Sequence, residues 1–172
     1  TDITRGVWLA SPNNPTGTIL DRAQLEALST WTRREGLHLL VDEIYHGLHF
    51  VDDLPSVLEV DDSAFVVNSF SKYFGMTGWR LGWIVVPDAF IETARTLAQN
   101  MYISASSLAQ YAALAAFDPA TEVILESRRQ AQKTHRVFST LLYFPLVTGS
   151  IAVTNNSVWF DVLLFNEVGE FL

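Results

Sequence analysis

The sequence contains no cysteine, which excludes a disulfide framework and a cysteine-based zinc site. Basic residues are scarce: 11 Lys and Arg stand against 19 Asp and Glu, so the formal net charge is −8. This balance disfavours binding to nucleic acid or to an acidic lipid surface. No uninterrupted apolar stretch has the length of a membrane span, and the first residues lack the pattern of a signal peptide. We therefore expect a cytoplasmic protein without nucleic-acid or membrane partners.

Short apolar runs alternate along the chain with longer stretches that have the pattern of helices. The apolar runs predict strands over residues 7–10, 37–41, 64–67 and 81–86. The longer stretches predict helices over about 21–35, 88–99, 106–117 and 119–142. Hydrophobic residues make up 49% of the 172 residues, which is enough for a core. This order of elements indicates an α/β fold with a mainly parallel sheet and flanking helices.

Two aspartates have the positions of helix caps. Asp21 directly precedes the first predicted helix, which would carry Leu25, Leu28 and Trp31 on one face. Asp88 precedes the second predicted helix in the same way. We expect both side chains to accept hydrogen bonds from the first turns of these helices.

Polar residues cluster where the predicted strands end, which is where ligands bind in open α/β sheets. Four short patterns occur there in order: Pro12-Asn13-Asn14-Pro15-Thr16-Gly17, Asp42-Glu43-Ile44-Tyr45, Ser69-Phe70-Ser71-Lys72 and Gly78-Trp79-Arg80-Leu81-Gly82. Together they resemble the fold-type-I pyridoxal-phosphate-dependent aminotransferases of class I/II, the aspartate aminotransferase family. The resemblance extends over about residues 5–142.

The resemblance implies pyridoxal 5'-phosphate as cofactor and a role for four residues in holding its ring. Lys72 corresponds to the Schiff-base lysine, which also shuttles a proton during catalysis. Asp42 would keep a proton on the pyridine nitrogen, and Asn14 and Tyr45 would bond the phenolate oxygen. On the residues alone, Asp42 could instead be a solvated strand end, Asn14 a turn residue and Tyr45 a packed aromatic.

The resemblance also implies a group of phosphate ligands. Arg80 suits a phosphate through its charged, two-pronged guanidinium, and Ser69 adds a hydroxyl at the end of a strand. Ser71 would either contact the phosphate or shape the turn. Gly78 and Gly82 indicate tight packing around Arg80, which makes the alternative of a surface ion pair for that residue less attractive.

Two further polar features near the second strand carry no functional assignment. His46 and His49 are three apart, a spacing that suits metal ligands on a helix, but no other histidine is close in sequence. Asp42 is better explained by the cofactor ring, so we predict no metal site. Glu43 could equally be a surface charge.

The implied activity is transfer of an amino group from an amino acid to a 2-oxo acid, by an enzyme that is a homodimer at full length. One alternative is a C–S or β-lyase that uses the same cofactor, since the groups that set the reaction type lie mostly elsewhere in the family. Another is a noncatalytic aminotransferase-like domain with a regulatory or dimerisation role. The sequence does not indicate which amino acid is the substrate.

The resemblance also divides the chain. Residues 1–118 correspond to the C-terminal half of the cofactor-binding large domain, and residues 119–172 to a long connecting helix and the truncated start of a small α+β domain. Aromatic and β-branched residues after Tyr143 predict strands there. A complete enzyme of this family is about twice as long, well above the size of one domain. We therefore expect a fragment that is inactive by itself.

Overall fold

The computed structural model describes the backbone of residues 3–143 and the side chains of residues 3–131. The strands of this part are β1 (Gly6–Ala10), β2 (His38–Asp42), β3 (Phe65–Ser69) and β4 (Gly82–Val85). The α-helices are α1 (Arg22–Arg34), α2 (Ile91–Met101), α3 (Ser107–Leu114) and α4 (Pro119–Tyr143). Short 3-10 turns lie at Val57–Glu59, Thr77–Trp79, Asp88–Phe90 and Ala115–Phe117. Every predicted strand and helix within the described residues is present.

The strands form a four-stranded sheet in the order β1-β2-β3-β4. The β1–β2 and β2–β3 pairs are parallel, and β4 runs antiparallel to β3. In this register Ala10 pairs with Asp42, and Asp42 pairs with Val67. Because parallel neighbours end on the same side, the loops that follow β1, β2 and β3 emerge at one edge of the sheet. The predicted mainly parallel α/β sheet is confirmed.

The core lies between α1 and one face of the sheet. Alternate residues of β2 and β3 point into it, as the two-residue period of a strand requires. Its buried members are Leu25, Leu39, Val41, Val57, Ala64 and Val66. Truncating a side chain such as Leu25, which is 1% exposed, would cost about 2–5 kcal/mol of stability through lost burial and the cavity left behind.

Helix α1 begins as its sequence predicts but buries a different face. Asp21 accepts a hydrogen bond from the backbone N–H of Gln24 at 2.9 Å, and the Gln24 side chain returns one to the Asp21 N–H, which completes a capping box. The buried residues are Leu25, Ser29 and Thr32, whereas Trp31 is 39% exposed. The prediction for Trp31 was wrong because the 3.6-residue period turns position 31 well away from Leu25.

The second helix begins later than its sequence suggests. Asp88 opens the 3-10 turn Asp88–Phe90 and makes no capping bond with its side chain, and α2 starts only at Ile91. The prediction that Asp88 caps α2 was therefore wrong, because the turn separates it from the helix. Ser106 caps α3 by accepting a bond from the Ala109 N–H.

Helix α4 starts at Pro119, where the sequence places the start of the connecting helix. The division into a large domain ending at residue 118 and a small domain from residue 119 stays a prediction. The strands predicted after Tyr143 lie outside the described residues. Among the helices that the structure describes, none combines the length and apolar character needed to cross a bilayer.

Candidate active site

The site lies at the edge of the sheet where three successive parallel strands end. The loop after β1 carries Asn14, the last residue of β2 is Asp42, and the turn that follows it carries Tyr45. The turn after β3 carries Lys72. Three segments that are remote in sequence therefore meet because their strands are neighbours in the sheet.

The loop after β1 presents Asn14 to Tyr45. The Asn14 side-chain amide donates a hydrogen bond to the Tyr45 hydroxyl at 3.2 Å. Asn13 shapes the loop: its carbonyl accepts from the Gly17 N–H at 2.7 Å, and its side-chain oxygen accepts from the Thr16 hydroxyl at 2.9 Å. The two asparagines thus have different roles: Asn13 closes the turn, and Asn14 contacts the neighbouring loop.

The Tyr45 hydroxyl is under opposing influences. Burial raises the pKa of Tyr45, the nearby Asp42 carboxylate raises it further, and the hydrogen bond from Asn14 lowers it, with a net increase above the ordinary value. Asp42 is half-buried, and its Oδ1 accepts a hydrogen bond from the Ile44 N–H at 2.9 Å. The carboxylate is therefore held in one orientation at the end of β2.

Lys72 lies in a tight turn beside this pair. Its Nζ is 5.7 Å from the centroid of the Tyr45 ring. The turn is closed by hydrogen bonds from the Gly75 N–H to the Lys72 carbonyl at 3.0 Å and from the Met76 N–H to the Phe70 carbonyl at 2.9 Å. The structure thus brings together four of the predicted cofactor residues, Asn14, Asp42, Tyr45 and Lys72, within one group of loops.

Ser69 and Ser71 form a pair of hydroxyls in the same turn. The two Oγ atoms are 3.0 Å apart, and Ser69 Oγ is also 3.0 Å from the Leu81 carbonyl oxygen, which accepts its proton. Ser69 Oγ accepts a hydrogen bond from the Ser71 N–H at 3.0 Å. Ser69 therefore shapes the turn that precedes Lys72 as well as offering a hydroxyl at the strand end.

Arg80 reaches this turn through Thr77. Its Nη1 donates to the Thr77 carbonyl at 3.0 Å, and the Thr77 hydroxyl donates to the Ser71 carbonyl at 2.7 Å. Its backbone has the left-handed φ of 52°, an uncommon conformation for a side chain of this size. Among the side chains of residues 3–131, no carboxylate forms an ion pair with Arg80. The surface ion pair considered for this residue is absent from the described structure.

Comparison with known proteins assigns the chain to a family. The family model for aminotransferase class I and II matches residues 1–156. The chain belongs to this family. A valine–pyruvate aminotransferase of Mycobacterium tuberculosis is 43% identical over 117 residues, which cover 67% of this chain and 30% of the relative. An aspartate aminotransferase of Sulfurisphaera tokodaii is 34% identical over 185 residues, covering 96% of this chain and 46% of the relative.

The solved structures extend this likeness to the fold. The crystal structure of an aminotransferase from Mycobacterium tuberculosis matches with a TM-score of 0.75 and 35% identity, over 88% of this chain and 43% of that chain. The described residues are thus a partial α/β domain of the fold-type-I aminotransferases. The chain spans less than half the length of each of these relatives.

Two glycines flank Arg80 in this aminotransferase-family chain, and only one is tightly packed. A Cβ added to Gly82 would lie 2.7 Å from the Asn68 carbonyl oxygen on the neighbouring strand. A Cβ added to Gly78 would meet no atom within 4 Å, because the residue lies in the exposed turn Thr77–Trp79. The expectation of close packing holds for Gly82 and was wrong for Gly78.

Sequence reasoning missed a buried polar group behind the aminotransferase-family site. Glu43 is 4% exposed and accepts hydrogen bonds from the Ser56 hydroxyl at 2.9 and 3.0 Å and from the Val57 N–H at 2.8 Å. His46 Nε2 lies 3.1 Å from the Ser11 carbonyl oxygen. The surface-charge interpretation of Glu43 was wrong, since its carboxylate is buried against the start of the 3-10 turn Val57–Glu59. Its position directly after a buried strand was the available signal.

Proposed function

We propose that the protein is a pyridoxal-phosphate-dependent aminotransferase, which transfers the amino group of an amino acid to a 2-oxo acid. The family and the names of the relatives support this activity. The main supporting observation is that Lys72 lies beside the hydrogen-bonded pair Asn14 and Tyr45. Its Nζ is 5.7 Å from the centroid of the Tyr45 ring. An amine, a phenol and an amide at one sheet edge are the groups that this chemistry requires.

The donor set fits the cofactor by chemical type. The Asp42 carboxylate suits a protonated ring nitrogen, and the donors of Tyr45 and Asn14 suit a phenolate oxygen. Cofactor phosphate would be bound by the guanidinium of Arg80 and by the hydroxyl of Ser69, with Ser71 as a further donor. The Arg80 guanidinium is exposed and forms no ion pair within the described residues, which supports this assignment.

Each of these side chains has a definable task. When bound, pyridoxal phosphate withdraws electrons from the substrate Cα. Lys72 would hold the cofactor covalently and, once released by the substrate amine, would take the proton from Cα and deliver it to the cofactor's C4′. Asp42, oriented by the Ile44 N–H, would keep the ring nitrogen protonated. Asn14 and Tyr45 would hold the ring in place by hydrogen bonds to its phenolate oxygen.

We also infer a cytoplasmic homodimer for the full-length protein, with amino acids and 2-oxo acids as its small-molecule partners and without nucleic-acid or membrane partners. The lack of cysteine supports the cytoplasmic location, and the net charge of −8 supports the absence of nucleic-acid and membrane partners. The dimer rests on the family resemblance.

The chain offers a matched pair of variants for testing the cofactor lysine. Lys72 and Lys133 are the lysines of the sequence. The protein is incubated with pyridoxal phosphate, reduced with borohydride and mapped by peptide mass spectrometry. We expect the adduct on Lys72, its loss in Lys72→Ala, and its retention in Lys133→Ala. An adduct that survives Lys72→Ala in a folded protein would sink the proposal.

Product analysis then separates the reaction types. With pairs of amino acids and 2-oxo acids, formation of a new amino acid identifies a transaminase. Release of ammonia together with a 2-oxo acid from one substrate would identify the lyase alternative. A full-length protein that binds the cofactor but changes no amino acid would point to the noncatalytic alternative, whereas inactivity of this chain alone is already expected.

A further inference from the structure

A buried polar chain connects the loop that carries Asn14 with the turn that carries Tyr45. Its fixed end is the Glu43 carboxylate, which is anchored by the Ser56 hydroxyl and the Val57 N–H. Since carboxylates are rarely buried without such partners, these bonds hold Glu43 in one position. Glu43 lies in the same turn as Tyr45. The shape of this turn is set in part by the hydrogen bond from the His46 N–H to the Glu43 carbonyl at 2.9 Å.

His46 forms the link to the other loop. Its Nε2 is 3.1 Å from the Ser11 carbonyl oxygen, and its Nδ1 is 3.7 Å from the Glu43 carboxylate. Because a carbonyl only accepts, Nε2 carries the hydrogen and donates it. Burial lowers the pKa of His46, whereas the Glu43 carboxylate and the hydrogen bond to the Ser11 carbonyl act in the opposite direction.

Ser11 controls both ends of the Asn14 loop. Its N–H donates to the Asp42 carbonyl at 3.0 Å, and its hydroxyl accepts from the Leu20 N–H, beyond the loop, at 3.0 Å. Ser11 is 2% exposed, so a displacement of its backbone is transmitted to the residues that it bonds. A shift of the Ser11 carbonyl would therefore carry the loop, and the Asn14 amide with it, away from the Tyr45 hydroxyl.

We propose that His46 is a positioning residue, which sets the hydrogen bond between Asn14 and Tyr45 by fixing the Ser11 carbonyl. The same turn thus carries Tyr45, which accepts the hydrogen bond, and His46, which positions the donor Asn14. The importance of this bond for the cofactor rests on the proposed function, but the positioning of the Ser11 carbonyl by His46 is a property of the folded chain. His46 does not contact the reacting groups and acts only through the loop.

The test measures the pKa of Tyr45 without cofactor. The five tyrosines are replaced by 3-fluorotyrosine, whose phenol ionises at a lower pH, and the fluorine resonance of Tyr45 is assigned with Tyr45→Phe. His46→Leu removes the donor to Ser11, so Asn14 withdraws and the pKa of Tyr45 rises by about as much as in Asn14→Ala. His46→Gln retains an N–H at the Nε2 position and is expected to leave the pKa unchanged.

A double variant distinguishes positioning from a general structural effect. If His46 acts through Asn14, His46→Leu causes no further increase in the Asn14→Ala background. Equal increases in both backgrounds, or no increase in the parent, would overturn the proposal. If circular dichroism shows that His46→Leu does not fold, His46→Asn replaces it in the test. The shorter amide of this variant does not reach Ser11, so the pKa of Tyr45 is expected to rise in the same way. The borohydride experiment tests the cofactor separately, so the two proposals fail independently.

Discussion

The Asn14 amide and the Tyr45 hydroxyl, which are 31 positions apart in sequence, are joined by a hydrogen bond of 3.2 Å. The pair lies beside the Asp42 carboxylate, and the two polar neighbours affect Tyr45 in opposite directions. Asp42 raises the pKa of Tyr45 because a negative charge disfavours the phenolate. Asn14 lowers it because an N–H donor favours the phenolate. The pKa of this phenol is therefore set by opposing effects, and single substitutions can move it in either direction.

Asn14→Ala and Asp42→Asn are predicted to move the pKa of Tyr45 in opposite directions. The first removes the donor and raises the pKa, and the second removes the charge and lowers it. Titration of the fluorotyrosine resonance measures both. Asp88→Asn, at an exposed position after β4, serves as the control and leaves the pKa unchanged. Shifts in the same direction for both site variants would contradict this account.

Arg80→Ala is predicted to weaken binding of pyridoxal phosphate without weakening binding of pyridoxal. A hydrogen bond to a charged group contributes about 1.5–3 kcal/mol, so the affinity for the phosphate form would fall roughly 10- to 100-fold. Fluorescence titration with both ligands measures the difference. Arg95→Ala, an exposed arginine that pairs with Glu92 on α2, is the charge-matched control. An equal loss of affinity for both ligands would show that Arg80 does not bind the phosphate group.

Gly82→Ala is predicted to destabilise the protein, and Gly78→Ala is not. The new Cβ at position 82 would lie 2.7 Å from the Asn68 carbonyl oxygen, which is backbone and cannot rotate away. Overpacking of this kind costs about 1–3 kcal/mol. Urea denaturation of the two variants measures the contrast. Because Gly82 pairs with Ser69 in the sheet, the same change also displaces the site serine, whereas equal stability of the two variants would refute the packing argument.

Asp61 is predicted to make stability fall in acid. Burial alone would raise its pKa, but hydrogen bonds from Ser29 and Ser63 and the nearby Arg33 outweigh burial and lower it. A lowered carboxyl pKa gives stability that is present above the unfolded value, about pH 4, and is lost as the pH falls through the folded value.

Asp61→Asn would therefore lower the free energy of unfolding by about 2 kcal/mol at neutral pH and flatten its decline below about pH 4. Urea titrations at about pH 7 and about pH 3 measure both effects. The exposed neighbour Asp62, substituted in the same way, keeps the parental pH dependence. A variant whose stability still falls as steeply as the parent's would contradict the assignment.

The sequence was most informative where function depends on the ends of strands. Asp42 directly follows one apolar run and Lys72 lies five residues after another, and parallel strands that are neighbours must end at one edge, so their approach could be predicted. The resemblance implied that Asn14 and Tyr45 share one ligand atom, but the hydrogen bond between their side chains was not predicted. The burial of Glu43 could not be predicted, because its partners Ser56 and Val57 lie 13 and 14 positions away at the start of a 3-10 turn, and no periodic pattern specifies how that turn packs against β2.

Local patterns also failed where two structures compete for the same residues. Trp31 is three positions after Leu28 but is turned well away from Leu25, and the buried stripe instead contains Leu25 with the hydrogen-bonded polar residues Ser29 and Thr32. Asp88 has the composition of a helix cap and instead opens a 3-10 turn.

The pairing of Ser69 with Gly82 closes the segment 70–81 at its base, so Lys72 lies on a loop whose two ends meet. The Phe70 N–H and the Leu81 carbonyl tighten the same junction at 3.1 Å. The entropy lost in holding a short loop depends mainly on bringing its ends together, and here the sheet does this independently of the ligand. The lysine is thus largely preorganised by strand pairing, and little ordering of its backbone is left for a substrate or cofactor to supply.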